Sequence, residues 1–324
     1  MTRRVLLFCA AAALLVVIGL VGARWLSSRQ GSTTRAVAKP LPASAPASAP
    51  ATSGDRVELV NATGVVERRG AAGPWTQARV GDVLERREAI RTGAEAHAEL
   101  RVGPEARLTV ERSTEVSVVE LTELVHRFKL AQGRLGVRYR AAAKRQVEVE
   151  TELEGSVAAR AREGSFSVLR TPTAVAVATR TGVVDLSTPK GTTQIKGGQQ
   201  SLVRTGEPPT PAVALPKEVL LRLAQLDDGA RSGPDGQTTV RGQTQPGNRV
   251  FIAGRVVAVD RDGRFSATVP LRGGRNPIEV LSEGPSGETR AQVVKPAGGD
   301  AQVKSQKRHK LDVRWHKRAK IDRQ

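Results

Sequence analysis

Cysteine is nearly absent: the 324-residue chain has one, Cys9, inside an apolar run near its start. The remainder can hold no disulfide framework, no cysteine-ligated zinc site and no cysteine nucleophile. Aromatic residues are almost as scarce, at 3%. Between residues 55 and 302 only Trp75, Phe128, Tyr139, Phe166, Phe251 and Phe265 occur, too few to stack single-stranded nucleic acid. No HExxH, GxSxG, GxGxxG or Walker pattern occurs, so zinc protease, serine hydrolase, dinucleotide and P-loop chemistry lack the residues they require. The expectation is a non-catalytic protein with no cofactor and no metal.

Two local patterns invite chemistry and have simpler readings. Ser187-Thr188-Pro189-Lys190 has the S-x-x-K spacing in which a Lys one helical turn away activates a Ser. Pro189 and Gly191 oppose that helix, and a strand-connecting turn is expected instead. Asp260-Arg261-Asp262-Gly263 alternates carboxylates as a calcium loop does, but the Glu needed six positions after the glycine is Val269. Asp-Gly predicts a hairpin turn there. His97 and His126 fall in alternating strand segments, and His309 and His316 in the tail.

Positive charge is abundant, at a formal +19, but unevenly spread. Residues 55–206 carry 24 basic against 19 acidic side chains, and residues 207–302 carry 12 against 11, so the two stretches able to fold are near neutral. The excess lies at the ends. The tail holds Lys304, Lys307, Arg308, Lys310, Arg314, Lys317, Arg318, Lys320 and Arg323 against Asp312 and Asp322. A solvated disordered end is the plain reading. The same residues could hold lipopolysaccharide, phospholipid or another anionic polymer of the envelope through counterion release. Charge placed in an appendage argues against nucleic acid as the partner.

Arg3 and Arg4 precede nineteen apolar residues, Val5 to Ala23. As a helix these rise about 28 Å, close to a hydrocarbon core of about 30 Å. Val21-Gly22-Ala23 offers a signal-peptidase site and a cleaved, secreted form, but the run exceeds a usual signal peptide, which favours an uncleaved inner-membrane anchor. Arg24, Arg29, Arg35 and Lys39 after the span would by themselves keep the bulk in the cytoplasm. The Pro-Ala-Ser tract from Lys39 to Ser53 is a spacer that holds a domain off a membrane, and it places the bulk in the periplasm.

From Arg56 to Val203 apolar residues recur at period two in short runs broken by glycine, which predicts about fifteen half-buried strands. With so few aromatics their core must be Val, Leu, Ile and Ala, which suits narrow rolled sheets. Gly81-Asp82 and Thr92-Gly93 are read as turns using positive φ. After the proline-rich break from Pro208 to Pro216, Val219, Leu220, Leu223 and Leu226 share one helical face, predicting a short helix. Strand-like alternation then resumes from Thr238 to Lys295.

Gly81-Asp82-Val83-Leu84, Ile90-Arg91-Thr92-Gly93, Ala98-Glu99-Leu100-Arg101-Val102 and Arg107-Leu108-Thr109-Val110 resemble the ordered core of the FecR domain family. Gly133-Arg134-Leu135-Gly136-Val137, Thr181-Gly182-Val183-Val184-Asp185-Leu186 and Gly197-Gly198-Gln199-Gln200 follow in the family's order. The resemblance implies a periplasmic all-β domain of rolled or solenoid-like sheets, which in some members relays a signal from an outer-membrane transporter to a sigma factor. Those regulators carry a cytoplasmic anti-sigma segment before the span, where this chain has Met1 to Arg4. They also read Arg-Gly-Thr where it has Arg162-Glu163-Gly164-Ser165. Farther on, Thr244-x-Pro246-Gly247, Ala253-Gly254, Asp260-x-Asp262-Gly263-x-Phe265 and Leu271-x-x-Gly274-x-Asn276 resemble bacterial immunoglobulin-like modules, mostly spacers or adhesive units.

The expected organisation is all-β apart from the terminal helix: membrane anchor or signal segment 1–30, Ala/Pro/Ser linker 31–54 and FecR-like domain 55–206. Linker and short helix 207–237, Ig-like β-sandwich 238–296 and basic disordered tail 297–324 complete it. Two functions fit. One is an envelope protein presenting both modules in the periplasm to a protein or anionic polymer. The other is a transmembrane signalling component of a FecR-type system without its own anti-sigma domain.

Overall fold

Alternating burial along short strands builds the first domain as two facing layers. The computed structural model describes residues 56–140, 145–224, 237–270 and 277–295, with the backbone alone of 304–306. The span Val5–Ala23, the spacer 31–54 and most of the basic tail lie outside the described residues. Fifteen strands run from Val57 to Arg204, as the alternation predicts. No helix among the described residues is long and apolar enough to cross a membrane.

The front layer contains β1 (Val57–Thr63), β6 (His97–Val102), β7 (Ala106–Val110), β12 (Glu163–Arg170) and β15 (Gln199–Arg204). The back layer contains β2 (Val66–Arg69), β5 (Ala89–Thr92), β8 (Glu115–Leu121), β10 (Gln146–Glu152), β11 (Ser156–Ala161) and β14 (Gly191–Lys196). Two long strands stitch them together. The first part of β9 (Val125–Arg140) pairs with β8 and β10, and its second part with β7 and β12. The strand β13 (Ala174–Thr188) passes from β12 and β15 to β11 and β14 in the same way.

A strand can change layers only if it bends, and Gly133 supplies the bend in β9. Its φ is +92°, and a Cβ there would lie 2.5 Å from Thr114 Cα. Any other residue would be both strained and obstructed. Between the layers, buried Leu100, Leu108, Leu130, Leu135, Val147, Val177 and Ile195 interdigitate with Phe128 and Tyr139. Each fully buried aliphatic side chain contributes about 1.5–3 kcal/mol, so small residues from many strands take the place of a few large aromatics. Gly81 has the expected positive φ of +96°, but Gly93 does not. Gly93 instead admits Val65, whose Cβ would stand 3.4 Å from an added methyl.

The chain then contributes β16 (Val213–Ala214) to the edge of the front layer beside β15. The helix expected after Pro216 is not formed. Leu221–Leu223 is a strand, β17, paired with β18 (Gln237–Thr244). Backbone groups that a helix would satisfy internally are engaged elsewhere: Leu220 N–H donates to Gln245 Oε1 at 2.6 Å, and Thr244 Oγ1 donates to the Leu220 carbonyl at 2.8 Å. Burying Leu221 in the second module's core, paired with β18, prevails over the helical spacing of the leucines.

The second module has two sheets around its own core. One is β17, β18 and β21 (Arg264–Pro270), and the other is β20 (Arg255–Val257), β19 (Arg249–Ile252), β22 (Ile278–Glu283), β23 (Thr289–Val294) and β24 (Lys304–Gln306). Val240, Val250, Ile252, Phe265, Ile278 and Val280 fill it. Gly242 is required there because a Cβ would meet the Phe265 ring at 2.5 Å. Within the tail expected to be disordered, the backbone of Lys304–Gln306 forms strand β24 and pairs with Ala291–Val293 of β23. An open sheet edge offers its hydrogen-bonding groups to whatever chain runs past, whatever that chain's charge.

Candidate functional site: the charged seam between the modules

Polar and charged side chains join the two cores. On the outer face of the front layer His97, Glu111 and Arg134 are cross-strand neighbours, one residue beyond the Ala98–Val110–Leu135 row. His97 Nδ1 lies 3.4 Å from Glu111 Oε2, and Arg134 Nη2 lies 2.9 Å from Glu111 Oε1. Arg134 then reaches into the second module, where its Nε donates to Glu283 Oε1 at 2.7 Å. The other oxygen of Glu283 accepts from Arg249 Nη2 at 2.6 Å and Nε at 3.1 Å. Arg249 is itself anchored across the seam, donating to the Ser113 carbonyl at 3.3 Å. Its guanidinium lies 4.7 Å from the centre of the Phe251 ring.

The result is a chain of alternating charge in a dry place. Arg249 and Glu283 are each 2% exposed and Arg134 9%. Burial opposes ionisation of Glu283, but Arg134 and Arg249 on either side outweigh it and hold its carboxyl below the usual range. Burial opposes ionisation of Glu111 as well. The hydrogen bond to His97 and the charge of Arg134 overcome it, bringing that carboxyl to about 2. His97 is raised in return, chiefly through its bond to Glu111.

Side-chain hydrogen bonds to backbone carbonyls complete the seam. Ser167 Oγ donates to the Pro285 carbonyl at 2.5 Å, Arg180 Nη2 to the Ser286 carbonyl at 2.7 Å, and Thr173 Oγ1 to the Val259 carbonyl at 2.8 Å. The turn between β22 and β23 presses onto Arg134 so closely that a Cβ at Gly287 would stand 2.8 Å from Arg134 Nη1. The arrangement can hold two modules in one orientation. It is poorly suited to proton transfer, because both carboxylates are committed to arginines.

The residues singled out in sequence lie elsewhere. Ser187 lies in β13, one residue before its end, and Lys190 sits in the turn to β14, as expected of a strand connection. Asp260 Oδ1 accepts the backbone N–H of Asp262 at 2.9 Å and of Arg264 at 2.7 Å, which forms the expected turn. Among the described residues no group of three or more His, Cys, Asp or Glu is placed to hold a metal. Of the basic tail, Lys304 lies in β24, and Lys307 to Arg323 lie outside the described residues. Sequence reasoning missed the seam. The one trace of it in sequence is Arg249, a charged residue directly before the apolar run Val250-Phe251-Ile252.

No curated protein matches the chain. Two crystal structures of a candidate anti-sigma factor from Parabacteroides distasonis ATCC 8503 are similar, at 17% and 16% identity, each with a TM-score of 0.34 over 39% of this chain. The similar region spans 59% of the length of those proteins. Within this chain, residues 88–185 match the family model described as FecR protein, and that segment contains Ser113, Arg134, Ser167, Thr173 and Arg180, which hydrogen-bond to the second module.

Proposed function

We propose that this is a non-catalytic cell-envelope protein that holds a FecR domain and a second β module as one binding body in the periplasm. An inner-membrane anchor at residues 5–23 and the spacer 31–54 carry that body. The observation that supports the reading best is the seam, because a buried Arg134–Glu283–Arg249 chain fixes the second module on the FecR-matched strands. A presenting protein needs such rigidity, since ordering two loosely tethered modules on each encounter would lower affinity. The two-sheet build of the described residues within 237–295, with turns at Pro246–Gly247 and Asp260–Gly263, supports an Ig-like spacer or adhesive unit; the motif Leu271-x-x-Gly274-x-Asn276 lies outside the described residues. Its partner is an envelope protein or an anionic polymer.

A second reading is favoured by the family match itself. In it the protein is the envelope part of a FecR-type signalling system, coupled through its span to a separate cytoplasmic partner. Topology is the first test of both. A phosphatase fused after Gly54 is expected to be active and a fluorescent protein there dark, and the opposite pair of results would overturn the periplasmic placement. Site-specific cross-linking from the front layer in intact cells then separates the readings. Capture of a transporter supports signalling, and capture of polymer or a non-transporter protein supports presentation.

A further inference from the structure

Four strands end the layers of the first domain, and three of them are stubs. β3 (Thr76–Gln77), β4 (Val83–Leu84) and β16 are two residues long and leave little edge to pair with. The fourth, β14, runs for six residues, Gly191–Lys196, in unbroken register with β13. Among the described residues no strand pairs with its other side. Natural proteins shield long edges with charge, proline or bulges. In a chain with 26% charged residues, Gly191-Thr192-Thr193-Gln194-Ile195 contains none of these devices, and Thr and Ile favour strands. Such an edge is a template for another strand.

Alternate residues of an edge strand turn their backbone groups inward and outward. The odd-numbered residues of β14 face β13, and Gly197, next in that series, donates its N–H to the Gly182 carbonyl at 3.0 Å. Thr192, Gln194 and Lys196 therefore face out. Lys196 N–H is capped by Gln199 Oε1 at 3.1 Å, and in the turn before the strand Lys190 N–H is capped by Thr188 Oγ1 at 3.2 Å. The groups left open belong to Thr192 and Gln194, both exposed, and they lie symmetrically about Thr193. A donor and an acceptor on either side of a centre match their own image under a two-fold axis.

We propose that a second copy of this chain pairs antiparallel with β14 across a two-fold axis at Thr193, joining two back layers into one sheet. Thr192 of each copy lies opposite Gln194 of the other, and the two places exchange four N–H···O=C bonds in all. An axis at Thr192 or Gln194 would bring the capped Lys190 or Lys196 amide to the join, so the caps select the register. The Gln194 amide donates to Asp185 Oδ1 at 3.4 Å and keeps its oxygen for the facing Thr192 hydroxyl. No like charges meet within the ladder. Beyond it Lys196 passes Lys190 of the other copy, whose ammonium is drawn to the Gly206 carbonyl of its own chain. The dimer goes beyond the binding role proposed above, and it would present two binding bodies together, which raises avidity for a repeating partner.

Cysteine cross-linking in cells producing the full chain, with Cys9→Ser so that each variant has one thiol, tests the register. Thr193 would form a non-hydrogen-bonded pair with itself, Cα atoms about 4.5 Å apart and within disulfide reach. Thr193→Cys should therefore give a disulfide dimer. Thr192→Cys and Gln194→Cys should give little, because each lies two residues out of step with its own copy, beyond the limit of about 7 Å. Sedimentation of the solubilised full chain measures the strength. Thr192→Pro and Gln194→Pro each delete an outward N–H, which edge strands tolerate. Each removes two of the four bonds and should weaken the dimer about tenfold or more. Circular dichroism should report both variants folded, and the cross-linking decides the register independently of them. A monomeric parent would overturn the pairing, including one in which hydrogen exchange finds the Thr192 and Gln194 amides covered by another segment or another protein. So would equal cross-linking at 192, 193 and 194, or a dimer of unchanged strength in both proline variants, as pairing through residues 5–23 would give. None of these results bears on the topology fusions or on partner capture from the front layer, which test the function itself.

Discussion

Replacing Glu283 by Ala removes the anion that two buried arginines share. Arg134 retains Glu111, but Arg249 keeps only the Ser113 carbonyl and the face of Phe251. Removing one partner from a buried ion pair costs about 3–5 kcal/mol, because the remaining charge is left uncompensated away from water. At about 2–4 °C per kcal/mol for a protein of this size, the melting temperature should fall by about 10 °C. The loss should be local before it is global. The hydrophobic clusters of the two modules are separate, so the module can undock with both cores intact. Calorimetry should resolve two transitions where the parent shows one, and hydrogen exchange should accelerate first in the Glu283–Glu288 turn. A triple variant, Arg134→Met, Glu283→Leu and Arg249→Met, should recover most of the stability, since well-packed apolar residues replace buried ion pairs at little cost. A loss below about 1 kcal/mol for Glu283→Ala, with a single transition retained, would refute the claim that this chain of charges holds the seam.

Acid should weaken the same region by a different route. Glu111, held at about 2 against an ordinary 4.5, contributes stability that is present above pH 4.5 and is lost as pH falls toward about 2, a span worth about 3 kcal/mol. His97 is raised, so its contribution is present below pH 6.5 and fades as pH rises through its folded value. Urea midpoints across pH should show both declines in the parent, and only the acid one in altered form in His97→Gln. Gly242→Ala should destabilise the second module by about 2 kcal/mol or more, because its Cβ would meet the Phe265 ring at 2.5 Å and the Arg222 carbonyl at 2.6 Å; an unchanged denaturant midpoint would contradict that packing. Deleting Val303–Gln324 should speed amide exchange along β23 by removing β24, with only a small fall in melting temperature. The same deletion should weaken adsorption to anionic vesicles at low salt more than at high salt, and adsorption indifferent to both would show the tail to be electrostatically inert.

Period-two alternation, glycine punctuation and the scarcity of aromatics were enough to determine two all-β stretches among the described residues with small aliphatic cores, a turn at Asp260–Gly263 and a strand connection at Ser187–Lys190. These features are legible because each depends on residues a few positions apart. Longer-range competition decided the rest. Leu221 and Leu223 have helical spacing, yet they lie in a strand because β18 and Gln245 offer their backbone partners that no local window contains. Arg134 and Glu283 are separated by 149 residues. Nothing in the neighbourhood of either says that a charge is to be buried, since a lone arginine or glutamate in a strand reads as solvent-facing. Only when the front layer and the second module meet does each become the sole favourable surrounding for the other. Arg101, Arg107 and Arg138 depend on the fold in the same way: separated in sequence, they are neighbours only because antiparallel register sets β6, β7 and β9 side by side.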